Sequence, residues 1–159
     1  MIDSIKNMPD VKIVVVDHGN IIKTTSGEIS QRKKIIIFGV PGAFTSTCSV
    51  KHLPSYINLS KQLKDKGIDD IYCLSVNDPA VMQAWQTQYS NGKDILMIAD
   101  GNADLTKSLE LDKDYSKNYM GLRSKRFAMV AEDKKINIMN IEQPGEYKVS
   151  AAEYIMNQI

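Results

Sequence analysis

Cysteine is scarce in this sequence: two residues in 159, Cys48 and Cys73. Two are too few for a disulfide scaffold, and they form no Cys-x-x-Cys pair, which argues against thioredoxin-type dithiol exchange. With only two histidines, the chain has nothing at metal-site spacing, and no metal or cofactor is expected. Long hydrophobic runs are missing too; nothing approaches the roughly 18 to 20 apolar residues of a membrane span. The first residues, Met1 to Lys6, show neither a secretory signal nor an Arg-rich transit pattern. Neither sign of charge is in surplus, with 20 basic residues against 19 acidic ones. The net charge of +1 gives no electrostatic reason to expect nucleic acid or an anionic membrane as partner. These absences imply a cytoplasmic, reducing setting in which cysteines are free, catalytic or transiently oxidised.

What is present is ordinary for a soluble globular protein: 43% hydrophobic and 25% charged residues. The length predicts one domain over residues 1–159 with a sizeable core. Lys12 to Val16, Ile35 to Val40, Asp70 to Val76 and Ile95 to Ala99 read as strands, and Asp17 to Asn20 as a turn. Ser46 to Lys66 carries apolar residues at helical spacing and closes on Gly67; Pro54 inside it predicts a kink or an interruption. Asp78 and Pro79 have the character of an N-cap and first residue of a helix holding Val81, Met82, Trp85 and Tyr89. A short helix follows over Leu105 to Leu109. Phe127 to Ala131 and Ile136 to Ile141 flank Asp133-Lys134 as a hairpin, and Ser150 to Ile159 closes the chain as a helix. Helices and strands alternate early and a hairpin comes late, which predicts an α/β fold with a mixed central sheet flanked by helices.

The segment with most chemical promise is Pro41-Gly42-Ala43-Phe44-Thr45-Ser46-Thr47-Cys48. With Thr45 as N-cap, Cys48 falls at the third helical position, where a capping box has Glu or Gln. Backbone N–H groups and the helix dipole favour negative charge there, and the thiolate is the nucleophilic form of cysteine. From local context alone, Cys48 is either a reactive thiol or a small buried hydrophobe. His52, four residues on, shares its helix face and opens a Cys-His hydrolase or transferase reading. A surface or supporting imidazole is the plainer account of His52. A non-catalytic redox-sensing protein, switching partners when Cys48 oxidises, is a further alternative.

Of 20 basic residues only Arg32, Arg123 and Arg126 are arginine. Arginine directly before an apolar strand suits a fixed, always-charged, multi-donor role, which favours Arg126; Arg123 reads as a surface residue in a loop.

The string Pro41-Gly42-Ala43-Phe44-Thr45-x-x-Cys48-Ser49 resembles the active-site pattern of the peroxiredoxins, in the type II branch. Further matches follow in the family's order: Cys73 to Asp78, Ala84-Trp85, Ala99-Asp100-Gly101 and Lys125 to Ala128. Ser46 departs from the proline frequent in the branch. The resemblance implies a thioredoxin-like fold and reduction of hydrogen peroxide and alkyl hydroperoxides. It implies that Cys48 is the peroxidatic cysteine, cycling through sulfenic acid. Thr45 would orient the peroxide, Arg126 would stabilise the thiolate and the developing charge, and Pro41 would shield the pocket. A homodimer is likewise implied.

Cys73 stands where some members carry a second cysteine. Either it resolves oxidised Cys48, or it is a core residue and an external thiol does so. Its place in a buried strand favours the external route, with glutaredoxin and glutathione, or thioredoxin, as the family-implied reductants.

Overall fold

In a computed structural model, which describes residues 5–17 and 19–159, the apolar runs assemble side by side. His18, within the turn expected after Asp17, lies outside the described residues. Strands β1 (Lys12–Asp17), β2 (Asn20–Thr25), β3 (Lys34–Gly39), β4 (Asp70–Ser75), β5 (Leu96–Ala99), β8 (Phe127–Glu132) and β9 (Lys135–Ile141) form one sheet. Its order is β2-β1-β5-β4-β3-β8-β9. β3, β4 and β5 run parallel; β1 lies antiparallel on β5 and β8 antiparallel on β3. The β8–β9 hairpin turns at Asp133-Lys134, both with positive φ, as its tight connection requires.

β3 has no polar side because helices cover both faces of the sheet, so Ile35, Ile36, Ile37 and Phe38 are all fully buried. Alternation divides them. Ile36 and Phe38 join Cys48, Cys73 and Trp85 in one core; Ile35 and Ile37 join Leu105 and Leu109 in the other. The first core is covered by α2 (Leu53–Asp65), α3 (Pro79–Gln86) and α5 (Ala152–Gln158). On the other face lie α1 (Ser26–Ser30) and α4 (Asp104–Ser108). Burying a side chain such as Phe38 contributes about 1.5–3 kcal/mol. Its ring also stacks on Tyr56 at 4.0 Å and meets His52 at 4.9 Å.

The helix starting at Pro79 is capped as expected: Asp78 Oδ1 accepts from Val81 N at 2.9 Å. It ends at Gln86, so Tyr89 lies beyond it rather than on it. β2, α1 and a small hairpin of β6 (Asp112–Asp114) and β7 (Leu122–Ser124) carry no sequence expectation. They are short or exposed on both sides, so no apolar period marks them.

Candidate active site

The chain leaves β3 at Gly39, where a Cβ would stand inside the Phe127 ring. Only glycine leaves room for that ring against the β3 backbone. The following loop is tied down at two points. Asn77 Oδ1 accepts from Ala43 N at 3.1 Å, and Arg123 Nη1 donates to Pro41 O at 3.3 Å. Arg123 Nε also donates to Met120 O at 2.9 Å. Arg123 is thus a half-buried loop anchor, not the surface residue expected. Phe44, exposed in the same loop, has a φ of 65°.

The helix starts at Ser46, as the sequence predicts, placing Cys48 third. Thr45 ends the loop through its backbone: its carbonyl accepts from Ser49 N at 2.9 Å. Its hydroxyl turns back and donates to Gly42 O at 2.7 Å. Residues Cys48–His52 then form one π turn, closed by Leu53 N donating to Cys48 O, before α2 begins. Pro54, the second residue of α2, accounts for it. It has no N–H, and its ring clashes with the carbonyl four residues back, so the regular ladder widens. The predicted interruption is this turn.

Cys48 is fully buried, and Arg126, the residue before β8, reaches it: Nη2 donates to Sγ at 3.2 Å. The same guanidinium, through Nη1, lies 2.9 Å from His52 Nδ1. His52 Nε2 faces Ser150 O at 3.0 Å. A carbonyl only accepts, so Nε2 carries the proton and Nδ1 accepts from the arginine. Burial first, and the Arg126 charge second, push the His52 pKa down from 6.5 to about 3, which keeps the ring neutral. His52 is therefore buried, not a surface group, and acts as a support for the arginine.

The support continues outward. Ser150 O also accepts from Tyr56 Oη at 2.6 Å. Glu142 Oε2 holds the turn before α5, accepting from Lys148 N, Ser150 N and Ser150 Oγ at 2.6, 2.9 and 2.7 Å. Burial alone would raise the Glu142 pKa; these bonds outweigh it and hold the carboxyl below its ordinary range. Among the described residues Arg126 has no carboxylate within ion-pair distance, so its charge is directed at the sulfur.

Arg126, Pro41 and Thr47 border a cavity of about 590 Å³ with Lys113, Tyr115 and Lys125. Cys73 lies in the middle of β4, opposite Phe38 and Met97, fully buried and in the same core as Cys48. Both thiols are free. Burial first, then Cys48, push the Cys73 thiol well up, against a smaller opposing pull from Arg126. Glu142 carries no sequence expectation, Asn77 enters only within the matched Cys73 to Asp78 stretch, and for Arg123 the scarcity of arginine is the one signal that sets it apart.

Residues 6–156 match the family described as Redoxin. The chain is 42% identical to Peroxiredoxin-2B of Arabidopsis thaliana over 153 residues, covering 96% of this chain and 94% of that protein. It is 40% identical over 157 residues to the chloroplastic Peroxiredoxin-2E-2 of Oryza sativa, covering 96% of this chain and 70% of that one. The reduced Prx3 of Vibrio vulnificus, solved in complex with hydrogen peroxide, superposes with a TM-score of 0.91 at 40% identity, covering 96% of each chain. The thioredoxin-like fold expected from the sequence is thereby borne out. The matched family, the relatives and the superposed structure agree: the chain belongs to the redoxin family and is a peroxiredoxin of the type II branch, a thiol-dependent peroxidase.

Proposed function

We propose that Cys48 is the peroxidatic nucleophile and that Arg126 and Thr45 complete the site around it. The observation carrying this reading is the single guanidinium that donates to Cys48 Sγ while its other nitrogen is held by His52. The Cys48 thiolate attacks the terminal oxygen of a hydroperoxide. An S–O bond forms and the O–O bond breaks. The departing oxygen takes a proton and leaves as water or an alcohol, and Cys48 becomes a sulfenic acid. Arg126 stabilises the charge spreading over both oxygens. The Thr45 proton rests on Gly42 O, which leaves its oxygen free to accept from the peroxide O–H. Pro41, at the cavity border, keeps water out. Hydrogen peroxide and alkyl hydroperoxides are the proposed substrates.

The hydrolase alternative loses its base. Arg126 occupies His52 Nδ1, and a ring with a pKa near 3 takes up no proton at neutral pH.

An external thiol, glutaredoxin with glutathione or thioredoxin, regenerates Cys48. The support is Cys73 itself, held mid-sheet between two strands, with burial opposing its thiolate. We place the protein in the cytoplasm as a homodimer. Two buried free thiols support a reducing compartment, and among the described residues no helix is long and apolar enough to cross a membrane. The relatives include chloroplastic and mitochondrial proteins, so localisation of the tagged chain is the relevant check. For the dimer, the support is Phe44 and Val50, 52% and 72% exposed in the segment around Cys48. A peroxidase assay with glutaredoxin and thioredoxin systems side by side tests the route. Turnover with either in Cys73→Ser supports it, and loss of turnover with intact first oxidation overturns it.

A further inference from the structure

The π turn has a consequence for its second residue. In a regular helix the Ser49 carbonyl would accept from Leu53 N, but that N–H goes to Cys48 O. In the π register the donor would be residue 54, which is proline and has no N–H. In the register the turn adopts, the Ser49 carbonyl is therefore left without a backbone donor, and a carbonyl shielded from water without a partner is costly. Its partner comes from outside the helix: Tyr89 Oη donates to Ser49 O at 2.7 Å. The neighbouring Trp85 Nε1 donates to Ser49 Oγ at 3.0 Å. The two rings meet edge to face at 6.3 Å. Trp85 is 1% exposed and packed in the core on a capped helix, so this clasp is fixed at its far end.

Ser49 is the residue next to Cys48. The register that the clasp holds is the one in which Sγ, fully buried, meets Arg126. Regeneration needs the opposite condition. A thiolate must reach the sulfenic sulfur, form an S–S bond and expel the oxygen as water after it takes up a proton. No protein thiol reaches a fully buried sulfur, so the turn has to open, and Ser49 has to leave Tyr89.

We propose that Tyr89 and Trp85 are positioning residues that clasp the Cys48 turn through Ser49, and that they set the balance between fast oxidation of Cys48 and its regeneration by an external thiol. The proposal rests on Cys48 being the peroxidatic cysteine. Tyr89 acts by supplying the donor that Pro54 withholds.

The test uses the full chain with Tyr89→Phe, which removes one hydroxyl, and Trp85→Phe, which removes one N–H. Oxidation of Cys48 by hydrogen peroxide and reaction of the sulfenate with glutathione are followed by quenched-flow mass spectrometry. Losing one net hydrogen bond corresponds to about a five-fold change. The expected result is a fall of that order in oxidation and a rise of that order in the glutathione step. Ile98→Val, a core variant on the other face of the sheet, lowers Tm and leaves both rates in place. Rates that are unchanged in Tyr89→Phe, or that fall together as Tm falls, overturn the proposal. Alkylation of reduced Cys48 by a bulky maleimide separates the clasp from the peroxidase reading. It rises about five-fold in Tyr89→Phe if the clasp holds the turn shut. Equal alkylation overturns the clasp. Slow peroxide oxidation in the wild type overturns the role of Cys48 instead.

Discussion

Arg126 and His52 are joined by a single hydrogen bond of 2.9 Å, and its direction is set from the far side of the imidazole. Ser150 O accepts a hydrogen bond from Nε2–H, so Nδ1 has only a lone pair to offer, and the guanidinium donates to it. The other guanidinium nitrogen then has one place to point, Cys48 Sγ. A buried neutral histidine thus aims a half-buried charge.

Removing that charge should slow the chemistry more than it unsettles the fold. Arg126→Ala is expected to lower the rate of Cys48 oxidation about 100- to 1000-fold, the range for one charge-stabilising donor. Arg126→Lys recovers little of it, because one ammonium cannot serve Sγ and His52 Nδ1 in this geometry. Stopped-flow oxidation with hydrogen peroxide reads both; oxidation of Arg126→Ala at the wild-type rate removes the arginine from the site.

His52 makes stability depend on pH in a definite direction. Its pKa is 6.5 when unfolded and about 3 when folded, so between these values the unfolded chain binds a proton that the folded chain does not. Stability is therefore fully present above about pH 6.5 and falls as the pH drops toward 3, by roughly 1 kcal/mol per pH unit from this residue. Urea unfolding between pH 4 and pH 7 should show that slope in the wild type and a shallower one in His52→Gln. Equal slopes would remove His52 as its source. Glu142 adds a second loss at lower pH, as its carboxylate is protonated below its ordinary 4.5.

Gly39→Ala should damage both stability and activity. The new methyl meets the Phe127 ring, and Phe127 follows Arg126 directly. Overpacking of this kind costs about 1–3 kcal/mol. Moving Phe127 moves the arginine, so the oxidation rate falls with Tm; a drop in Tm with unchanged oxidation would show that Arg126 holds its place independently.

Arg123→Ala frees Pro41 O from its side-chain donor. The loop stays tied at Ala43 by Asn77, so a partial effect is expected: oxidation slower by about ten-fold, the worth of one hydrogen bond from a charged group, and little change in Tm. Thermal unfolding together with stopped-flow kinetics separates this from a general loosening.

Much of this was legible because it is local. The Ile35–Phe38 run, the Asp78-Pro79 helix start and the Asp133-Lys134 turn each carry their signal within a few residues, and each forms as read. Arg126 was legible for a different reason, arginine being rare in a lysine-rich chain. The support around it was not. His52 meets Ser150 across 98 residues of sequence and Arg123 meets Pro41 across 82, and no periodicity announces such pairs. Tyr89 lies between these cases. A proline six residues after a candidate nucleophile announces a missing donor, but only the fold shows which side chain replaces it.

The central claim is that Cys48 is a thiol tuned for peroxide by Arg126. The most direct measurement is stopped-flow oxidation of the reduced protein by hydrogen peroxide, in wild type and in Arg126→Ala, with alkylation identifying the oxidised residue. The account predicts oxidation at Cys48 far faster than that of a free thiol, and its collapse in the variant. Oxidation of Cys48 no faster than a free thiol, or falling on Cys73 instead, would contradict it.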